Sequence, residues 1–228
     1  KAFGKTLADQ PLMKNVLADL AIESEAATAL ALRLAKAIDA SENDKDEHES
    51  VMRRVLTPIA KFWICKRGAM FAQETMECLG GNGYVEADGE GVMARIYREM
   101  PLNSIWEGSG NVMCLDVLRA AGKTPQALQL AFDEMALANG ANTALDEFVV
   151  KLKKEFSDDT QVEIRARRLT EMLCLALQAS LLVRFAPAFI ADAFCASRLG
   201  KNFAGTFGAL SPKCDFNAII ARATPTHL

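Results

Sequence analysis

The chain has 228 residues and a mass of 24.8 kDa, half of it apolar and a quarter charged, with a net charge of −3 and a pI of about 5.6. This composition excludes a disordered polymer and argues against a polycation built to coat nucleic acid, while leaving enough chain for one large domain or two small ones with a buried core. From Lys123 onward 12 Lys and Arg face 11 Asp and Glu, and before it 14 face 18, so neither half is strongly basic.

Six cysteines (Cys65, Cys78, Cys114, Cys174, Cys195 and Cys214) lie far apart with no CxxC pair. In a chain this rich in core residues they read as reduced, cytosolic thiols rather than a disulfide framework. Two histidines, His48 and His227, give a metal site little material, and none is expected. The most apolar run, from Leu173 to Phe194, is interrupted by Gln178, Arg184, Pro187 and Asp192. It reads as a buried helix pair rather than a membrane span. The chain opens on Lys1 and not on Met, so we read it as a piece of a longer protein.

Strand patterning is nearly absent, and helical spacing predicts an all-α fold of two packed units. A first helix is expected from Pro11 to Ile38, with an apolar stripe of Met13, Leu20, Ala27 and Leu34 flanked by Leu17, Ala31 and Ile38. Ser41 to Glu49 reads as a short acidic turn. A second helix should run from about Glu49 to Leu79, kinked or restarted at Pro58, and should stop at Gly80-Gly81-Asn82-Gly83-Tyr84. Val85 to Val92 reads as a loop, Arg95 to Arg98 as a short turn, and Leu102 to Gly110 as irregular chain. A third helix should start near Ser109, a candidate N-cap, and end at Gly122. Beyond a boundary at Gly122-Lys123-Thr124-Pro125 come four or five shorter helices, with starts at Thr143-x-x-Asp146 and at a capping box Thr160-x-x-Glu163. A helix restarts at Pro187, and Gly200 to Pro212 is expected to be a loop.

Three segments could carry chemistry. The glycines of Leu79 to Tyr84 either merely end a helix or let the backbone approach a phosphate or ribose. They do not form a dinucleotide fingerprint, because the helix precedes them and no strand does. Glu107 follows an indole, Trp106, and stands just before a helix start. It is either a loop carboxylate that caps the helix, or a general base that a desolvating ring brings toward the useful range. Arg95-Ile96-Tyr97-Arg98-Glu99 taken alone reads as a surface ion-pair cluster.

Taken in order, these segments resemble the C-terminal helical domain of the acyl-CoA dehydrogenase family. The positions Glu74-x-Met76-Glu77-x-x-Gly80-Gly81-x-Gly83-Tyr84, then Arg95-Ile96-Tyr97-Arg98-Glu99, then Ile105-Trp106-Glu107-Gly108-Ser109 match its three motifs. The run Lys1-Ala2-Phe3-Gly4-Lys5 is similar to a further family element. The chain departs from the family pattern at Glu77, which replaces Gln, at Trp106, which replaces Tyr, and at Pro11, where a glutamine is usual. The resemblance covers Lys1 to about Gly122. The run Cys65-Lys66-Arg67-Gly68, the phrase Asn103 to Asn111 and the extra helices of 123–228 are similar to its AidB-like branch, which belongs to the bacterial response to DNA alkylation.

The resemblance implies an acyl-CoA dehydrogenase-type bundle over 1–122 and a helical extension over 123–228. It implies FAD as cofactor, an acyl-CoA substrate oxidised at its α and β carbons, and Glu107 as the base. Phe3, Glu77, Gly80, Gly81, Ser109 and Asn111 would contact FAD, the glycine segment reaching the flavin of a neighbouring subunit. Tyr84, Trp106 and Gly108 would line the substrate pocket. The two long helices would sit at the centre of a homotetramer, a dimer of dimers. Without the family's preceding helical and β domains, these residues alone are expected to bind FAD poorly and to catalyse nothing. The alternative that the branch implies is a flavoprotein that binds and protects DNA, with Arg165, Arg167 and Arg168 as the candidate contact. Their plain reading is a solvated helix face paired with Glu155, Asp158 and Asp159.

Overall fold

The computed structural model describes residues 4–86, 91–200 and 205–225. Its helices are α1 (Pro11–Asn43), α2 (Glu47–Glu77), the single turn α3 (Gly81–Tyr84), α4 (Val92–Glu99), α5 (Gly110–Lys123), α6 (Pro125–Ala136), α7 (Thr143–Phe156), α8 (Val162–Phe185), α9 (Ala188–Phe194) and α10 (Phe216–Ala223). Short 3₁₀ turns at Leu7–Asp9 and Met100–Ser104 and a π turn at Cys195–Leu199 complete it, and the described residues hold no strand. The all-α fold is as expected. No helix among the described residues is long and apolar enough to cross a membrane.

Helices α1 and α2 form a long antiparallel hairpin; α1 runs past its expected end at Ile38, whereas α2 starts before Glu49 and ends before Leu79. Only residues 44–46 separate them, so the acidic turn expected over Ser41–Glu49 is three residues long. Asp46 makes the turn this tight: its carboxylate caps α2 by accepting from the Glu49 backbone N–H at 3.1 Å. Helix α2 runs through Pro58 without a restart. Helix α4 makes two turns where a short turn was expected. Helix α7 begins at Thr143 as read, but its cap is Asn142, which accepts from Leu145 N. The capping box at Thr160 does not form. The Thr160 hydroxyl donates to Asp158, and α8 starts after Gln161, which sits at φ 49°.

The face of α1 that enters the core meets the expected apolar stripe only at Leu20, which is buried. Ile22, Ala26, Leu30 and Ala37 are fully buried, with Asp19, Glu23 and Arg33 buried beside them, whereas Met13, Leu17, Ala27, Leu34 and Ile38 lie on the flank and Ala31 is exposed. Charges hid this face from a hydropathy reading. They are buried because they are paired. Arg33 holds Glu49 through two bonds at 2.8 and 3.1 Å and Glu134 at 3.0 Å, and Arg184 holds Glu134 at 2.6 Å, which ties α1, α2, α6 and α8 together. At the other end, Arg198 bonds Asp19 and Glu23, and Arg67 bonds Glu23 through both of its oxygens at 3.2 Å. The Arg67 guanidinium also stacks 4.4 Å from the Phe207 ring.

The central turns of helix α8 are buried on every side: all residues from Met172 to Leu182 are buried, and the helix packs on α1, α2, α5, α6, α7 and α9. Its neighbours come from both sides of the Gly122–Pro125 boundary, where Thr124 alone separates α5 from α6. One contiguous apolar cluster includes Ile22, Leu56 and Val117 from the first part and Leu152, Leu173 and Phe194 from the second. The tail then returns to α1, where Arg222 of α10 pairs with Glu25 at 2.8 Å.

Removing one partner from a buried ion pair leaves the other charge uncompensated. Glu134→Ala is therefore expected to cost about 3–5 kcal/mol, measured by denaturant unfolding. Burial alone would push the Glu134 carboxyl up, but bonds from Arg33 and Arg184 outweigh it and hold the group below the ordinary value. Its contribution is present above the unfolded pKa, about 4.3, and is lost as pH falls through the lower folded value. The gap between wild type and variant should accordingly close in acid.

Candidate active site

The segment that carries Glu107 is fixed from α2. The Lys61 ammonium donates to the carbonyls of Asn103 and of Trp106, the latter at 2.8 Å, and Ser104 Oγ donates to the Cys65 carbonyl at 3.0 Å. The Met100 side chain fills a notch at buried Gly68 that a Cβ would close. Beyond this anchored turn, Glu107 takes φ 54° and Gly108 φ 108°. Two consecutive left-handed residues are costly for anything but glycine at the second position, and a non-glycine at the first stores about 1–3 kcal/mol of strain. The pair turns the chain into α5, whose N-cap position is Ser109 as read, although the hydroxyl makes no cap bond.

The Glu107 carboxylate is exposed and Trp106 is 55% exposed, so within this chain the indole does not seal the acid from water. The expected desolvation is not met by these residues. Ile105, at 65%, and Tyr84, at 72%, likewise present apolar surface to solvent.

Two cations that the sequence reading did not place in this site flank the start of α5. A Cβ on buried Gly110 would lie 3.0 Å from Lys66 Cε and 3.5 Å from both Arg167 Nη2 and Phe62 Cε2. Arg167 Nε donates to Asn111 Oδ1 at 2.9 Å. Among the described residues neither Lys66 nor Arg167 forms an ion pair. The first-turn N–H groups of α5 have no side-chain cap, so positive charge and free donors converge beside Ser109 and Asn111. Burial pushes the Cys114 thiol up, while a bond with Thr170 and the charges of Arg167 and Lys66 pull against it. Lys66 lies in the Cys65–Gly68 run singled out above, but nothing in spacing alone points it at α5.

The glycine segment forms a separate groove at the C-terminus of α2, lined by Gln73, Met76, Glu77, Gly80 and Tyr84. Gly80 takes φ 62° and ψ −148°, and a Cβ on buried Gly83 would strike the Met76 carbonyl, so both glycines are required there by conformation or by space. Gly81 opens α3 and is exposed. Glu77 and Gly80 thus share one groove with Tyr84, while Ser109, Asn111 and Glu107 cluster elsewhere, with Lys66 and Glu77 about 16 Å apart along α2. Phe3 lies outside the described residues. The Arg95 to Glu99 segment holds the ion pairs Arg95–Glu99, at 3.9 Å, and Arg98–Glu86.

The three tail arginines are engaged within the chain. Arg165 donates to the carbonyls of Glu155, Asp158 and Thr160, clasping the α7–α8 connection, and Arg168 pairs with Glu155 at 2.8 Å. Arg167 points the other way, to Asn111. Among the described residues no group of three or more His, Cys, Asp and Glu could hold a metal, and all six thiols are free.

The left-handed turn makes a sharp test. Gly108→Ala should lower stability by about 1–3 kcal/mol, because it adds a side chain at φ 108° where it also meets the Met113 side chain. Gly122→Ala, in open space on α5, should be neutral or stabilising. Thermal unfolding of the two variants checks both.

The C-terminal domain of acyl-CoA dehydrogenases matches residues 1–122 as a family profile. AidB of Escherichia coli (strain K12), which bears the provisional name of an acyl-CoA dehydrogenase, is 42% identical over 193 residues, 85% of this chain and 34% of that protein. Acyl-CoA dehydrogenase family member 11 of Caenorhabditis elegans is 31% identical over 176 residues, 76% of this chain and 27% of its own. Among solved structures, the apo form of Bd2924 is similar with a TM-score of 0.73 at 32% identity, covering 82% of this chain and 36% of its own. The Caenorhabditis elegans ACDH-11 complex with C11-CoA has a TM-score of 0.74 at 22% identity, covering 87% and 38%, and shows the same fold. The chain spans about a third of the length of these relatives. It belongs to the acyl-CoA dehydrogenase family, with AidB among its relatives.

Proposed function

We propose that this chain is the C-terminal part of an FAD-dependent oxidoreductase that removes hydrogen from the α and β carbons of an acyl-CoA, with Glu107 as the base. The observation that carries the reading is the Glu107–Gly108 turn: a strained, exposed carboxylate held between an anchor on α2 and a cationic helix start. Backbone strain of this kind gathers at functional sites, and here it falls on the carboxylate of the motif that carries the family resemblance.

The residues present fit FAD. The start of α5 offers uncapped N–H groups and, packed against Gly110, two cations that form no ion pair among the described residues, which suits an anionic pyrophosphate. Ser109 and Asn111 stand beside it as hydroxyl and amide contacts. FAD bound there would supply the hydride acceptor for the β-hydrogen. Glu107 takes the α-proton onto its carboxylate, and Lys61, through the Trp106 carbonyl, holds the turn so that the acid stays in place. Trp106 and the small Gly108 supply apolar wall for an acyl chain, which would cover the carboxylate and exclude water from it, whereas Tyr84 lines the separate glycine groove. An acyl-CoA is the substrate class of the family, and ACDH-11 is described with one bound.

The groove at Glu77 and Gly80 has the opposite polarity. It lies at the negative end of α2, beside Glu77 and Glu74, and burial followed by the neighbouring carboxylates of Glu77 and Asp19 raises the Glu74 carboxyl. Such a groove repels phosphate and suits groups that donate, such as ribose hydroxyls. The separation of about 16 Å along α2 between Glu77 and Lys66, which packs at the start of α5, supports the reading that the groove serves the adenosine half of a second flavin, held across a subunit contact.

The test uses the protein at the full length of its relatives, with bound flavin followed by absorbance during anaerobic addition of acyl-CoAs of graded chain length. Bleaching by at least one acyl-CoA, abolished in Glu107→Gln with flavin still bound, is the expected outcome. Flavin that no acyl-CoA reduces would contradict the proposal. Glu107→Gly should also abolish bleaching, yet leave the thermal midpoint unchanged or higher, because glycine relieves the strained φ.

A further inference from the structure

We propose that Arg167, on a helix outside the region matched by the family domain, is a positioning residue of the flavin site, where it fixes the Asn111 amide so that its NH₂ faces the cofactor. The inference rests on the flavin reading above and extends it to the helical extension. The chemistry is one-sided. A guanidinium carries only donors, so the Asn111 atom 2.9 Å from Arg167 Nε must be the carbonyl oxygen. The amide is therefore locked against flipping. Its Nδ2 makes no other hydrogen bond among the described residues, and it is left as a donor at the first turn of α5.

Position and charge reinforce this role. Asn111 is the second residue of α5, where backbone N–H groups are free and an anion is favoured. The Arg167 Nη2 atom packs at Gly110 from α8, as Lys66 does from α2, so the extension supplies one of the two cations at the helix start. Arg165 and Arg168, its neighbours in sequence, bond within the α7–α8 connection instead. Of the three arginines, only Arg167 leaves its own hairpin to reach the first 122 residues. The ligand class this arrangement prefers is an anion bordered by acceptor oxygens, as in a dinucleotide pyrophosphate.

The experiment is reconstitution of the full-length apo-protein with FAD, with affinity read from the change in flavin fluorescence and fold from the thermal midpoint of the apo form. Arg167→Met and Asn111→Ala should each weaken FAD roughly ten-fold, as expected for loss of a charge-assisted contact. The double variant should be little worse than either single one, and Arg167→Lys should recover most of the loss. Asn111→Asp keeps an acceptor for Arg167 but loses the NH₂ and adds a like charge, so it should weaken FAD at least as much as Asn111→Ala. Unchanged affinity in Arg167→Met, or losses that add in the double variant, would overturn the proposal. If Arg167→Met fails to fold, Asn111→Asp still decides, since wild-type affinity there would overturn it. A wild-type protein that binds no FAD would overturn the flavin reading instead.

Discussion

Helix α8 is the constraint on which the rest of the structure depends. A helix whose central turns, Met172 to Leu182, are buried on every side cannot be stable alone or on the rim of a domain; it needs neighbours around that whole circumference. Here they are α1, α2 and α5 from one part of the chain and α6, α7 and α9 from the other. The leucines at 169, 173 and 177 are fully buried, each worth about 2 kcal/mol relative to exposure. The residues after Lys123 therefore complete the core of the residues before it. The two ion clusters act at the same junctions. Arg33, Glu49, Glu134 and Arg184 join α1 and α2 to α6 and α8, and Arg198 joins the π turn after α9 to Asp19 and Glu23 of α1. Buried pairs of this kind add little net stability over an apolar packing, but they penalise any misregistered docking that leaves a charge alone.

The candidate site inherits its geometry from this core. Helix α2 presents Lys61, Lys66 and Gly68 to the segment that ends α4 and begins α5, and α8 brings Arg167 to the same place. The rigid partners are helices, while the Glu107 carboxylate sits on the turn between them. That division suits catalysis, because the turn can hold strain that a regular element would relieve. The apolar side chains beside it, Trp106 and Ile105, are exposed within this chain.

Much of this was legible in sequence. Helix spacing, the stop at Gly80 and the order of the three motifs identify the fold and the family, and Glu107 stands out because a carboxylate between an indole and a glycine is unusual. What escaped has a common physical cause. Asp19, Glu23, Arg33 and Glu134 look like solvated charges in a hydropathy reading, and only the partners that tertiary packing brings to them explain their burial. The same blindness displaced the predicted face of α1 and hid Lys66 and Arg167 from the site. Thr160 misled for a local reason: its hydroxyl found a nearer partner in Asp158, and the helix began two residues later.

The most direct test of the central claim, that the extension belongs to the core of the bundle, is truncation of the full-length protein after Gly122, followed by calorimetric unfolding and determination of bound flavin. The account predicts that loss of α8 strips the inner faces of α1, α2 and α5, so the truncated protein unfolds at a much lower temperature or without a cooperative transition, and retains little FAD. A truncated protein that melts cooperatively at the wild-type temperature with its flavin intact would contradict it.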